Sequence, residues 1–260
     1  MFIRSVDALW RPFLTSTACK ALQGHVDRIV AATASDVSTE WIMNIHLLGE
    51  HWLLDLAREP ALLDAVERIC GQDVTLMQSH VFCKPRGCPP TPWHQDGRSD
   101  DDAPMATVWI TLDDINAPSS GGLCVLPGLH IRGLLPSDAS DHFQFDRVLS
   151  SAFVSTQTPV PYALRAGEAA VHHPLLPHAS APNTRLPYRR VLVLRYLATA
   201  ALEAAGVPLY GARGDALELL RPAQTDGDDD DDGGEFYQDY RDADVYFEGR
   251  SIVVRGRHLE

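Results

Sequence analysis

Basic residues are the scarce class in this chain. Lys and Arg number 22 against 35 Asp and Glu, a formal net charge of -13, and a surface of that sign repels nucleic acid and anionic membranes at long range. Neither is an expected partner. Some of the excess sits in one run, Asp228 to Asp232, so the remainder is less acidic than the total and leaves room for a local basic pocket. Long apolar runs are also missing. No uninterrupted stretch approaches the ~20 residues that span a bilayer, and the first segment, MFIRSVDALWRPF, already interleaves Arg4, Asp7 and Arg11 with its apolar residues. No membrane insertion is expected. Cysteine is sparse and odd in number, at Cys19, Cys70, Cys83, Cys88 and Cys124, which fits reduced thiols better than a disulfide framework and points to a cytoplasmic location. Internal repeats are absent.

What is present is enough apolar material for one substantial core: 260 residues, 45% of them hydrophobic. A single domain over 1-260 is expected, with a helical N-terminal region spanning 1-72, a β-rich core 73-198 and a C-terminal extension 199-260. Residues 16 to 33 are rich in Ala, Leu and Val with interspersed charges, and Leu62, Val66, Ile69 and Cys70 recur at helical spacing behind Glu59-Pro60-Ala61. Two amphipathic helices are predicted there. Pro60 suits a first helical turn, where its missing N–H is not needed, and Gly71 suits the position that ends the second helix.

From Val74 onward, brief β-branched and aromatic runs are broken by Pro, Gly, Asn and Ser. They are Thr75 to Cys83, Ala106 to Leu112, Leu123 to Leu126, Glu168 to His172 and Arg190 to Leu197. Such spacing predicts an antiparallel sandwich or barrel. In Thr107-Val108-Trp109-Ile110-Thr111-Leu112 the alternation puts Thr107, Trp109 and Thr111 on one face, read as a pocket lining, and the aliphatic residues on the other, read as core. Residues 133 to 163 have no strong period and several Ser, Asp and Pro, and read as an irregular insertion or lid. The acidic, glycine-containing segment 224-235 reads as a solvated surface loop. Ser251 to Val254 is a short strand-like run that returns to the domain edge.

The segment Thr91-Pro92-Trp93-His94-Gln95-Asp96-Gly97 carries His and Asp two residues apart, a spacing that in an extended strand aims both side chains to one side. Imidazole and carboxylate suit a borderline divalent ion, and one more His completes the two-His, one-carboxylate set that leaves open positions on Fe(II). Alone, H-x-D is also what a polar strand end looks like, so a third ligand is required. His172, His173 and His178 compete for that role. Just beyond them stand adjacent arginines, Arg189 and Arg190, of which only one can face inward in a strand.

Four segments follow in order: TPWHQDG, TVWITLDD, GGLCVLPGLH and PHASAPNTRLPYRR. Together they resemble the phytanoyl-CoA dioxygenase (PhyH) family of Fe(II)/2-oxoglutarate-dependent oxygenases. There, a W-H-x-D segment precedes a tryptophan-bearing strand, a G-G/N-G-x-L-x-V-x-P-G stretch and an H-x-S-x-P-N segment with arginine downstream. The resemblance spans roughly residues 40 to 198, including the Gly71-Gln72-Asp73-Val74 entry and Phe82-Cys83-Lys84-Pro85. It implies a mostly β fold with flanking α: a double-stranded β-helix (jelly-roll, cupin-like) core with N-terminal helices packed on one face. It also implies Fe(II), with 2-oxoglutarate and O2 as cosubstrates. The reaction implied oxidises, most simply hydroxylates, a small-molecule or secondary-metabolite substrate with release of succinate and CO2.

Carried over residue by residue, His94, Asp96 and His178 resemble the iron ligands. Arg189 resembles the arginine whose planar guanidinium grips the C5 carboxylate of 2-oxoglutarate. Ser180 and Thr107 resemble hydroxyls that support the cosubstrate, Lys84 is a further cosubstrate contact, and Gln78 and Trp109 resemble pocket residues that face substrate or cosubstrate, or simply pack. Asp96 is kept where halogenating relatives carry a small residue, so halogenation is not expected.

The chain departs from the family in reading Gly128-Leu129-His130 where G-S-H is usual and in a shorter N-terminal portion; neither touches the iron ligands. Desaturation, epoxidation or cyclisation in place of hydroxylation uses the same motifs. So does a catalytically silent small-molecule-binding or sensing protein on the same barrel. A cupin-like isomerase or hydrolase that needs no oxygen would leave the arginine unexplained. Cys83 and Cys88 with His80 lack the second C-x-x-C-like pair of a structural zinc site, and Asp100 to Asp102 read as a solvated loop.

Overall fold

The computed structural model describes residues 8–10, 13–33, 38–97, 104–115, 119–142, 145–213, 216–219 and 251–256. The acidic segment 224–235 and Asp100 to Asp102 lie outside the described residues. Along the chain, β1 (Ala8–Trp10) and α1 (Ser16–Ala32) precede β2 (Ile42–Met43), a 3-10 turn at Ile45–Leu48, α2 (Trp52–Ala57) and α3 (Pro60–Cys70). Next come β3 (Val74–Pro85), β4 (Thr91–His94), β5 (Met105–Thr111), β6 (Leu123–Val125), β7 (Ser137–His142) and β8 (Phe145–Leu149). The single-turn α4 (Ser151–Val154) leads to β9 (Val160–Pro161), β10 (Ala169–His172), β11 (His178–Ser180) and β12 (Tyr188–Ala198). The last elements are α5 (Thr199–Ala204), β13 (Leu209–Arg213), β14 (Ala216–Leu219) and β15 (Ser251–Arg255).

Both predicted helices form where the sequence signals them. Thr15 starts α1 by accepting a hydrogen bond on Oγ1 from the Ala18 N–H at 3.2 Å, and Cys19, Val26 and Ile29 are its buried stripe. Pro60 occupies the first turn of α3, and Gly71, at φ 85°, ends it while donating its N–H to the Glu67 carbonyl. No helix among the described residues is long and apolar enough to cross a membrane.

The chain divides into two compact units, Met1–Ala32 with Val81–Asp102 and Thr107–Val193, and Thr33–His80 with Ala103–Ala106 and Leu194–Glu260. In the first unit the larger sheet runs β1-β10-β5-β12-β3 and the smaller β4-β11-β6-β9. Trp109, Ala170, Val191 and Val193 of the larger sheet share one apolar core with Leu123 and Val125 of the smaller. That core identifies the inner faces, and the registers extend them: Ala170 pairs with Trp109 and His172 with Thr107, while His178 pairs with His94 and Val125 and Ser180 with Leu123. Paired residues share a face and alternate residues return to it. Thr107, His172, His94, His178 and Ser180 therefore all point into the space between the sheets, which is the jelly-roll interior expected from the sequence.

On the outside of the same unit, α1 is tied to the ends of β5 and β12. Gln23 Nε2 donates to the Leu112 carbonyl at 2.6 Å, Cys19 Sγ lies 3.6 Å from the same oxygen, and Arg190 donates to Asp27 at 2.6 Å.

Two expectations need correction. The stretch 133–163 is not irregular: β7 and β8 form an antiparallel hairpin running from Ser137 opposite Leu149 to His142 opposite Phe145, and α4 follows. Its sequence hides this because β7 reads Ser137-Asp138-Ala139-Ser140-Asp141, polar toward both faces, so no alternation marks it. Nor are the sheets purely antiparallel. In the second unit, β15 pairs antiparallel with β3, Ile252 opposite Leu76, but parallel with β13, Leu209 opposite Ser251. Parallel neighbours need a connection of about a dozen residues or more, which the chain between Leu219 and Ser251 exceeds. The run Ser251 to Val254 does return as a strand.

Also in the second unit, His46 is buried with Nδ1 2.6 Å from Ser79 Oγ, and burial lowers its pKa to about 3. An unfolded histidine titrates near about 6.5. Since the folded value is the lower one, the unfolded chain takes up the proton first as pH falls. His46 thus contributes stability that is complete above about pH 6.5 and drains away toward pH 3 at up to ~1.4 kcal/mol per unit. Urea unfolding between about pH 6.5 and pH 5 is expected to cost the wild type about 2 kcal/mol more than it costs His46→Gln. Identical pH slopes for the two proteins would refute this.

Candidate metal centre and anion pocket

His94 is the last residue of β4, and Asp96 stands just past the strand end rather than within it. The chain leaves the strand there because the N–H groups of Asp96 and Gly97 both donate to the Pro174 carbonyl, at 2.9 and 3.0 Å. Those bonds staple the H-x-D segment to the one that leads into His178. Gln95 faces away and fixes the same corner, donating to the Gly133 and Leu175 carbonyls and accepting from the Leu135 N–H.

The outcome is convergence. One ligand atom each from His94, Asp96 and His178 lies within 4.8 Å of the others. Asp96 Oδ1 stands 3.8 Å from His94 Nε2 and 4.0 Å from His178 Nε2, separations that donors each about 2.1 Å from a shared ion can span. The far nitrogens settle which atoms face inward: His94 Nδ1 is 2.8 Å from the Pro92 carbonyl and His178 Nδ1 2.9 Å from the Leu176 carbonyl. A carbonyl accepts only, so each Nδ1 carries the proton and each Nε2 presents a lone pair to the centre. Two neutral imidazoles and one carboxylate fit a borderline divalent cation and leave further positions to other ligands. Among the described residues no second His/Cys/Asp/Glu group converges this way.

Beside the cluster lies a cationic pocket. Lys84 is fully buried, with Nζ 3.0 Å from Ser180 Oγ and 3.4 Å from both Thr91 Oγ1 and the Ala181 carbonyl. Ser180 passes its own proton to Thr91 Oγ1 at 2.7 Å, leaving its lone pairs to the ammonium. Arg189, also buried, donates through Nη1 to the Gly121 carbonyl at 3.2 Å, and its guanidinium carbon sits 5.8 Å from the centre of the Trp109 ring. Arg190 goes the other way, to Asp113 at 2.9 Å and Asp27 at 2.6 Å. Burial raises the Asp113 pKa, and the bonds from Arg190 oppose that rise. Alternation along β12 therefore selects Arg189 as the inward arginine.

The remaining expected residues divide. Thr107 is buried on the inner face with no hydrogen-bond partner for Oγ1 among the described residues. Trp109 is a member of the apolar core as well as the neighbour of Arg189. Gln78 belongs to the second unit, where it accepts from Arg195 at 2.7 Å and lies 3.9 Å from Met43 Sδ. The cysteines are all free, and burial drives the thiols of Cys70 and Cys83 up to about 12, so these two are inert.

Three neighbours, Phe145, Thr91 and Gly121, have no role in the sequence reading, and a fourth, His172, enters it only as a competing third ligand. The His172 ring lies 5.1 Å from that of His178, and the Phe145 ring of the hairpin covers His94 at 4.1 Å. Thr91 and Gly121 bond to the pocket residues. Parity on β10 turns His172 inward; nothing local marks Phe145.

Comparison with known proteins agrees with this geometry. A curated protein from Stutzerimonas stutzeri, described as a probable alpha-ketoglutarate-dependent hypophosphite dioxygenase, is 27% identical over 164 residues, 60% of this chain and 56% of that protein. The match thus spans little more than half of that relative. The apo structure of the non-heme monooxygenase ThoJ is similar at 26% identity and TM-score 0.56, over 74% of this chain and 75% of that one. SnoK, a non-heme alpha ketoglutarate dependent carbocyclase from nogalamycin biosynthesis, shares the fold at 19% identity and TM-score 0.60, over 74% and 79%. The sequence profile of phytanoyl-CoA dioxygenase (PhyH) matches residues 7–191, a span that contains the converging His-Asp-His cluster and the inward arginine alike, and the chain belongs to that family of Fe(II)/2-oxoglutarate-dependent oxygenases.

Proposed function

We propose that this chain is an Fe(II)- and 2-oxoglutarate-dependent dioxygenase that hydroxylates a small-molecule or secondary-metabolite substrate. His94, Asp96 and His178 hold the iron, while Arg189, Lys84, Ser180 and Thr107 hold the cosubstrate. The observation that carries the reading is the pairing of two features in one interior: three donor atoms within 4.8 Å of one another and two buried cations beside them. When bound, iron and 2-oxoglutarate supply the oxidation of a substrate C–H bond to C–OH, with O2 and 2-oxoglutarate converted to succinate and CO2.

The chain's own contribution is binding and orientation. The Pro92 and Leu176 carbonyls hold the two imidazoles in the tautomer that presents Nε2, and the Asp96 carboxylate offsets one charge of a divalent ion. Arg189 and Lys84 suit the remote carboxylate of a dicarboxylic acid, and a charge-assisted bond in so dry a setting contributes more than it does in water. Ser180, already donating to Thr91, offers its oxygen to Lys84 and so aims the ammonium. The unsatisfied Thr107 hydroxyl on the same inner face is available to a bound ligand. Phe145 shields one face of the His94 ring from water.

Three measurements test the assignment. Anaerobic addition of Fe(II) and 2-oxoglutarate to the wild type is expected to give the weak visible metal-to-ligand charge-transfer band, and His94→Ala, Asp96→Ala or His178→Ala to abolish iron-dependent turnover. A wild type without the band would refute the proposal. Succinate formation with no added substrate separates a working oxygenase from a silent binding protein on the same barrel. For the cosubstrate, Arg189→Ala is expected to raise the 2-oxoglutarate requirement by about 10- to 100-fold, the effect of a lost charge-assisted hydrogen bond. Arg190→Ala is expected to leave it within about threefold, since Arg190 bonds to Asp27 and Asp113. The reverse pattern would move the anchor to Arg190.

A further inference from the structure

We infer that Gly121 is a positioning residue. Its missing side chain sets how closely the two buried cations, Lys84 and Arg189, approach each other, and so sets the affinity for the far carboxylate of a dicarboxylic acid. The inference rests on the reading of that pocket given above and adds a residue to it.

A β-carbon built on Gly121 would stand 3.3 Å from Lys84 Cδ, 3.6 Å from Arg189 Cδ and 3.3 Å from Asn183 Cβ. Both cationic side chains thus converge on the space that the glycine leaves open. Arg189 also donates to the Gly121 carbonyl, so the same residue supplies the room and one of the bonds that hold the guanidinium.

Relief of a collision there can come from one side only. Asn183 is locked. Its Nδ2 donates to the Lys84 and Leu186 carbonyls at 2.8 and 3.0 Å, and its Oδ1 accepts from the Leu186 N–H at 3.0 Å. Its backbone N–H donates to the Cys88 carbonyl and its own carbonyl accepts from the Gly87 N–H. A methyl group at position 121 therefore presses on the lysine stem, while Arg189 Cδ at 3.6 Å stays in ordinary contact. Both side chains are buried, and a displaced ammonium loses its alignment on Ser180 and Thr91.

Gly121 also has φ 73°, where any L-residue is strained, so an alanine there mixes two effects. Gly128 separates them. It has nearly the same φ, 75°, and a β-carbon built on it meets nothing within 4 Å. Gly128→Ala thus carries comparable backbone strain without the collision.

The experiment titrates the anaerobic Fe(II)-loaded full chain with 2-oxoglutarate, following the charge-transfer band, for wild type, Gly121→Ala and Gly128→Ala. Fe(II) binding is measured separately for each. Gly121→Ala is expected to bind 2-oxoglutarate about tenfold more weakly or worse, with Fe(II) affinity within about twofold of wild type. Gly128→Ala is expected to bind both like wild type. Equal weakening in the two variants assigns the effect to backbone strain and overturns the inference, as does unchanged cosubstrate binding in Gly121→Ala. A second pair guards against poor folding of that variant: in a Lys84→Ala background one of the three neighbours is gone, and adding Gly121→Ala is expected to weaken binding by less than it does alone. Strict additivity overturns the inference. Absence of any band in the wild type is distinct from all of these, because it removes the pocket reading itself and the inference with it.

Discussion

The antiparallel pairing of β11 with β4, which sets His178 directly opposite His94, is the constraint on which the candidate centre depends. Strand faces alternate, so a slip of one residue would turn His178 out of the interior and present Ala179 in its place. The register is held from both ends. On one side His178 also pairs with Val125 of β6, a core residue that cannot leave the apolar cluster without loss. On the other, the Pro174 carbonyl takes the N–H groups of Asp96 and Gly97, so the loop into β11 and the loop out of β4 move together. The same two bonds end β4 and swing Asp96 toward the imidazoles. One backbone arrangement thus delivers all three donor atoms, and no long flexible side chain is needed to complete the set.

That rigidity matters because the neighbouring pocket is electrostatically unusual. Removing an ammonium from water has an effective penalty of several kcal/mol, and Lys84 is fully buried next to a second buried cation. Hydroxyls of Ser180 and Thr91 and the Ala181 carbonyl offset some of the penalty for Lys84. The Gly121 carbonyl and the face of Trp109 do the same for Arg189. These groups are dipoles, and each lowers the cost of holding a cation out of water. On the opposite face of β12 the arrangement is conventional, for Arg190 meets the carboxylates of Asp113 and Asp27 and fastens α1 to the sheet. Two adjacent arginines of one strand therefore have different surroundings, one tied to carboxylates outside and one turned into the interior, and strand parity decides which is which.

Parity is also why much of this was legible in the sequence. The strands around His94, Trp109, His178 and Arg189 sit in an apolar core, so their alternation is enforced by burial and shows as a pattern. The ends of α3 were legible for a similar reason, since Pro60 and Gly71 answer local backbone demands. The hairpin β7–β8 was not, because Ser and Asp occupy both of its faces and no buried side imposes a period. Gln78 illustrates a different limit: its partner Arg195 lies 117 residues away, and nothing near either residue announces the other. Phe145 is of the same kind, defined by what folds against it. The parallel pairing of β13 with β15 joins chain ends that periodicity treats as independent.

The hairpin shows how these long-range contacts feed back on the centre. Two strands paired only with each other are marginally stable in water, and β7 and β8 form a sheet of two. What adds to their mutual pairing is packing of β8 on β4, including Phe145 at 4.1 Å from the His94 ring and 5.3 Å from His142. The dependence runs both ways. His94 is fixed at its edge by the Pro92 carbonyl and on its face by Phe145, so its Nε2 keeps one direction; in return, the ordered imidazole gives the hairpin an apolar surface to rest on. The candidate ligand His94 is thus a packing residue too, which is why an imidazole in this position cannot be treated as a metal donor alone.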